Sequence, residues 1–122
     1  MPSPPTSLQD CPASPNCVSS QAADPAHGIE AFQYSGSAAE AMRRLRSALL
    51  SEKRITLVTE TAGYIHAEAR SLVFRFVDDI EFLLDPAQSL IQVRSAARTG
   101  YSDFGVNRKR LERIRRNFSP QR

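Results

Sequence analysis

The sequence predicts a two-layer α+β domain: a helix, a four-stranded antiparallel meander and a second helix, with both helices on one face of the sheet. Three observations carry this. Ser37-Ala38-Ala39-Glu40 has the spacing of a helix-capping box and opens a stretch with a 3.6-residue apolar period. From Ile55 the period drops to two and holds through several turn-separated runs. After Gly100 helical spacing returns and lasts to Phe118.

Length and composition bound the rest. The chain has 122 residues, 41% hydrophobic and 24% charged, near the average for globular domains, so a wholly disordered or fibrous chain is disfavoured. Its Pro-, Ser- and Ala-rich start leaves roughly ninety residues to fold, enough for one core. No apolar run approaches the roughly twenty residues that span a bilayer. The start, MPSPPTSLQD, lacks the basic residues and apolar stretch of a signal peptide. The expectation is a soluble, cytoplasmic chain without a transmembrane segment.

Residues 1–36 show no sustained period, and Pro2, Pro4, Pro5, Pro12, Pro15 and Pro25 interrupt regular hydrogen bonding. An extended segment is predicted, with Cys11 to Ser20 free to dock on the domain. The capping box then starts a helix in which Met42, Leu45 and Leu49 form one stripe, with Arg43, Arg44 and Arg46 on other faces. It should end near Lys53.

Ile55–Glu60, Tyr64–Ala69, Leu72–Leu84 and Ser89–Ala97 read as the strands, separated by Thr61-Ala62-Gly63, Arg70-Ser71 and Asp85-Pro86-Ala87-Gln88. In the third, Phe74, Phe76, Ile80, Phe82 and Leu84 share one face, while Arg75, Asp79 and Glu81 share the other. One face is core and the other polar. In the last helix Leu111, Ile114 and Phe118 form the apolar stripe, and Ser102 or Asp103 is available as its cap.

Short turns would also set the register. If Leu84 pairs with Ser89, Asp79 faces Arg94, Glu81 faces Gln92 and Ile80 faces Val93. If Ala69 pairs with Leu72, His66 faces Arg75, Ala67 faces Phe74 and Glu68 lies diagonally from Arg75. The polar face then interleaves carboxylates with arginines. Such a face is either a solvated surface of paired charges or, covered by a second layer formed by the Cys11 to Ser20 segment, a cleft with a candidate anion or partner surface built from Arg75, Asp79, Glu81, Arg94 and Arg98. In the second case the arginines supply bidentate donors for a carboxylate or phosphate, and Asp79 and Glu81 orient them.

Asp78 breaks the alternation, since its parity puts it among core residues and opposite Ser95. A buried carboxylate needs partners. Ser95, backbone N–H groups near Ser102 and Asp103, or a helix arginine such as Arg108 are the candidates, which groups Asp78, Ser95, Ser102, Asp103, Asn107 and Arg108 as a structural cluster. Gly100, Gly105, Ser102, Asp103 and Asn107 surround the entry to the second helix, a weak phosphate signal that capping and turn geometry explain without a ligand.

Other chemistries find less support. Cys11 and Cys17, six residues apart, permit either a small disulfide loop or two thiols. His27 and His66 are distant, so no compact metal-ligand spacing exists and no cofactor is indicated. Nucleophilic catalysis would need a cysteine activated by one of these histidines, which nothing in the spacing requires.

Net charge is +3, but Arg108, Lys109, Arg110, Arg113, Arg115, Arg116 and Arg122 against Glu112 give the tail +6 and the remainder −3. Phe104 and Phe118 are the only nearby aromatics for base stacking, so solvated charge is preferred to nucleic acid.

CPASPNCVSS, FVDDIEF and VRSAARTGYSDFGVNRKRLE, in this order, resemble the bacterial and plastid family known as domain of unknown function 1499. The resemblance runs from about Cys11 to Phe118. It implies that Cys11, Pro12, Ser14, Pro15, Asn16 and Cys17 pack on the domain, giving a single domain over 10–118 with tails at 1–9 and 119–122. The resemblance also implies an N-terminal membrane or export segment in many relatives; its expected absence here puts an extracytoplasmic location, and with it a disulfide, in doubt. The leading reading is a non-enzymatic binding module for an anionic small molecule or a protein. An enzyme with hydrolytic or cysteine redox chemistry is second, and a nucleic-acid module using the basic helix is third.

Overall fold

The computed structural model describes residues 7–71, 76–100 and 105–119. In chain order the elements are β1 (Cys17–Ser19), β2 (Phe32–Gln33), α1 (Ala38–Leu50), β3 (Ile55–Glu60), β4 (Tyr64–Arg70), β5 (Val77–Asp85), β6 (Leu90–Ala97) and α2 (Val106–Phe118). Among the described residues the strands form one sheet of order β1-β6-β5-β4-β3, with β2 also on β6, and all strand pairs are antiparallel. The chain is an α+β domain whose sheet is two strands wider than the predicted meander. β1 and β2 span three and two residues, too few for alternation to show. Each takes its hydrogen bonds from the outer edge of β6.

The Ser37 hydroxyl caps α1, accepting from the Glu40 backbone N–H at 3.1 Å. Glu40 does not return to Ser37; its carboxylate pairs with Arg43, so only half of the capping box forms. The helix stops at Leu50, with Ser51 as C-cap, short of Lys53. α2 begins at Val106, and its N-cap is Gly105 at φ 79° with no side-chain cap, a left-handed conformation that favours glycine. Ser102 and Asp103, expected to cap, lie outside the described residues.

The main core joins both helices to the sheet. Ala41, Met42, Leu45, Ala48 and Leu49 of α1 and Leu111, Ile114 and Phe118 of α2 bury with Ile65, Ile80, Phe82, Ile91 and Val93 of the sheet. Phe32 from β2 joins them and packs on both Phe82 and Phe118.

The side chains follow the predicted faces, whereas the cross-strand partners do not. In β5–β6 the register is two residues further along: Asp85 pairs with Leu90, Glu81 with Arg94 rather than Gln92, Asp79 with Ala96 rather than Arg94, Ile80 with Ser95 rather than Val93, and Asp78 with Ala97 rather than Ser95. Ser89 is the reason. It sits at φ 55°, and its N–H donates to the Pro86 carbonyl, so it belongs to the turn and not to the strand.

In β4–β5 the displacement is larger. His66 faces Glu81, Ala67 faces Ile80 and Glu68 faces Asp79, rather than residues in the Phe74–Arg75 region. Ser71 and Phe76 close the connection through two hydrogen bonds of 2.9 Å, and β5 starts only at Val77. Phe76, predicted to be core, precedes the strand and is 55% exposed. Phe74 and Arg75 lie outside the described residues. Because both shifts are even, each side chain keeps its face while its neighbours change.

Candidate functional site

The polar face is built in rows across the sheet. Tyr64, Leu83 and Gln92 form one row; His66, Glu81, Arg94 and Ser19 the next; Glu68, Asp79, Ala96 and Cys17 the third. Arg98, just beyond β6, reaches back over the third row.

Arg98 holds Asp79 side-on, donating through Nε at 2.7 Å and Nη2 at 2.8 Å, and Nη2 also reaches Glu68 at 2.6 Å. His66 Nε2 lies 2.8 Å from the same Asp79 carboxylate. The Arg98 guanidinium, and after it His66, hold the Asp79 carboxyl below its ordinary value, and the two carboxylates raise Arg98 in turn. The predicted meeting of Asp79 with Arg94 is thus replaced by Asp79 with Arg98. Arg70 adds a second cation on Glu68 at 3.2 Å.

Arg94 is different. It is only 8% exposed, yet its contacts are long: Nη1 to Glu81 at 3.5 Å and Nη2 to the Asp10 carbonyl at 3.3 Å. Its Nε is buried without a hydrogen-bond partner. A guanidinium has five donors in a fixed fork, and burial normally brings them close acceptors. Beside it the Tyr64 hydroxyl donates to Glu81 at 2.5 Å. Burial, and then Glu81, push the Tyr64 phenol above its ordinary value, so it stays a neutral donor.

What encloses this part of the face is the segment before Cys11 rather than Cys11 to Ser20, because Cys17–Ser19 join the sheet itself as its edge strand. Leu8, in the stretch read from sequence as tail, is 6% exposed and packs with Tyr64 and Leu83 in a cluster separate from the main core. Its N–H donates to the Gln21 side chain at 2.9 Å. Cys11 is bonded to Cys17, tying this strap to the β1 edge. Leu8 carried no signal, being a lone apolar residue among prolines and polar side chains.

The structural cluster lies on the opposite, core-facing side. Asp78 accepts from Arg110 Nη1 at 2.9 Å, and Arg110 also reaches Asn107 at 3.3 Å. Asn107 accepts from the Ser95 hydroxyl and donates to the Asn16 carbonyl. Of the partners expected for Asp78, the Ser95 hydroxyl turns to Asn107 and Arg108 donates instead to the Gly28 and Ala26 carbonyls, because it points off the buried stripe; the backbone N–H groups near Ser102 and Asp103 lie outside the described residues. Asn107 and Arg110, with Leu111 and Ile114, occupy helical spacings of three and four, so the sequence held a signal for Arg110: polar residues on an apolar stripe.

His27 bridges the disulfide loop to its neighbour. Nδ1 lies 2.6 Å from Asp24 and Nε2 2.9 Å from the Ser14 carbonyl. The two contacts raise the imidazole above its ordinary value, the Ser14 carbonyl more than Asp24.

The basic helix is largely committed. Arg113 binds Glu52, and Arg115 binds Glu112 and the Glu30 and Ala31 carbonyls. With Arg108 and Arg110 also engaged, Lys109 and Arg116 remain the open cations of α2 among the described residues. No group of three or more His, Cys, Asp or Glu among the described residues is placed to hold a metal. No described helix is long and apolar enough to cross a membrane.

These features define a small α+β domain with an ion-paired sheet face, part of it lying beneath a disulfide-tied strap. The chain belongs to the family described as protein of unknown function, DUF1499, whose model matches residues 7–118. No curated protein is detectably similar to it.

Proposed function

We propose that this domain is a non-enzymatic binding module that takes an anionic group, a carboxylate or phosphate, at Arg94 on the polar sheet face, with Arg98 at the rim. The single observation behind this is the state of Arg94: nine-tenths buried, with long contacts and an unpartnered Nε. An anionic acceptor would convert these into short, charge-assisted bonds. Glu81, itself held by Tyr64, orients the guanidinium; Arg98, fixed by Asp79 and Glu68 but 45% exposed, offers its two remaining N–H donors at the edge.

Hydrolysis is the second reading, favoured by the His66–Asp79 contact alone. Asp79 is already neutralised side-on by Arg98, which weakens it as an orienter of a basic imidazole. The cysteine route lacks a thiolate, since Cys11 and Cys17 are joined to each other and both histidines are turned to carboxylates.

Calorimetric titration of the full chain with inorganic phosphate and with acetate tests the binding reading. Saturable binding that weakens about tenfold or more in Arg94→Lys, which keeps the charge but loses the fork, and is unchanged in Arg113→Ala, supports it. Equal binding by wild type and Arg94→Lys, or none by either, contradicts it.

A further inference from the structure

The strap from Ser7 to Asp10 sits on the sheet as a bound peptide would. It belongs to no strand, yet it crosses the face from the β1 edge toward β4, with three spaced points of attachment. The Leu8 side chain fills the niche of Tyr64 and Leu83, the Leu8 N–H meets Gln21, and the Asp10 carbonyl meets Arg94. Ser7, Gln9 and Asp10 are exposed. One side chain and two backbone groups hold the segment, so lifting it leaves the main core intact.

We infer that the strap is a self-ligand, and that the surface beneath it recognises an extended peptide bearing a leucine-sized residue and, two residues further on, a carboxylate. The inference rests on the reading of Arg94 as the binding residue and names the partner class for that site. The apolar niche supplies the side-chain reader, Gln21 the backbone reader and Arg94 the acceptor reader. The strap meets the first two well and the third poorly, since a neutral carbonyl at 3.3 Å is all that it offers a buried guanidinium. A peptide ending two residues after its leucine puts a terminal carboxylate where the Asp10 carbonyl now lies. Such a peptide is a better ligand than the strap in the one contact that discriminates between them.

Tethering decides who wins. Attached at Cys11, the strap competes at an effective concentration on the order of millimolar, enough to mask the site from a weak external peptide. The occupant is therefore a peptide that arrives at high affinity or after the strap is loosened.

The test uses the full chain with Leu8→Ser and a fluorescent acetyl-Thr-Ser-Leu-Gln-Asp peptide with a free C-terminus, read by polarisation, with phosphate titrated in parallel. The variant is expected to bind the peptide about tenfold or more tightly than wild type, the tethered competitor having been removed. Exchanging the peptide's leucine for serine, or adding Arg94→Lys, should abolish that gain. A folded Leu8→Ser that binds peptide no better than wild type overturns the self-ligand. Retained phosphate binding in that same sample leaves the Arg94 reading standing, and loss of both removes both. Should Leu8→Ser fail to fold, methyl NMR of wild type at millimolar peptide replaces it: displaced Leu8 and Leu83 signals support the inference, and unmoved signals overturn it.

Discussion

Arg110 of α2 and Asp78 of β5 form an ion pair of 2.9 Å with both side chains about nine-tenths buried, joining the last helix to a central strand on the core-facing side of the sheet. A pair of this kind contributes less than its Coulomb attraction suggests, because both charges leave water. Breaking it from one side is another matter.

Arg110→Met should destabilise the domain by about 3–5 kcal/mol, since the Asp78 carboxylate then loses its buried cation. The double variant Arg110→Met with Asp78→Leu should recover most of that loss. Urea denaturation of wild type, both single variants and the double variant measures the coupling directly.

His27 gives the fold a basic-side dependence on pH. Its folded value is raised by the Ser14 carbonyl and then by Asp24, so its contribution is complete below the unfolded value of about 6.5 and is lost as pH rises through the higher folded value. His27→Gln should narrow its stability gap from wild type over that window. A gap that widens above pH 7 would contradict the bridge to Ser14.

The opposite sign applies to Asp79. Arg98 and His66 lower its folded value, so the stability it contributes is present above the unfolded value of about 3.9 and disappears as pH falls through the folded one. In Arg98→Ala the Asp79 carboxyl should titrate measurably higher by carbon-13 NMR. The stability difference from wild type should close toward low pH.

Reducing the Cys11–Cys17 bond opens a loop with a sequence separation of six. The chain-entropy relation puts the cost at about 2 kcal/mol, and the Leu8 contact adds to it if the strap leaves with the loop. Cys11→Ser with Cys17→Ser should show that loss in denaturation, with the helical signal retained.

The faces of the sheet were legible because alternation is a property of sequence: Asp79, Glu81 and Arg94 on one side and Ile80, Phe82 and Val93 on the other follow from parity alone. Their partners were not, because register depends on where turns end, and Ser89 enters a left-handed turn that no apolar pattern reveals. Asp78 announced itself by breaking the alternation. Arg110, which pairs with it, breaks the apolar stripe of α2 in the same way, and the two anomalies answer each other. The sequence shows the ion-paired face as charges without pairings: strand parity points Asp79 at Arg94, whereas Arg98, beyond the strand end, reaches it. Leu8 and the strap had no local signature, since a single apolar residue becomes meaningful only when Tyr64 and Leu83 are brought together beneath it.

The central claim is that Arg94 meets the ligand, and nitrogen-15 NMR of the arginine Nε–H groups tests it most directly. On titration with inorganic phosphate the Arg94 signal should move saturably, with the Arg98 signal following, while those of Arg113 and Arg116 stay in place. A shift confined to the arginines of α2, with Arg94 unmoved at saturation, would contradict the account.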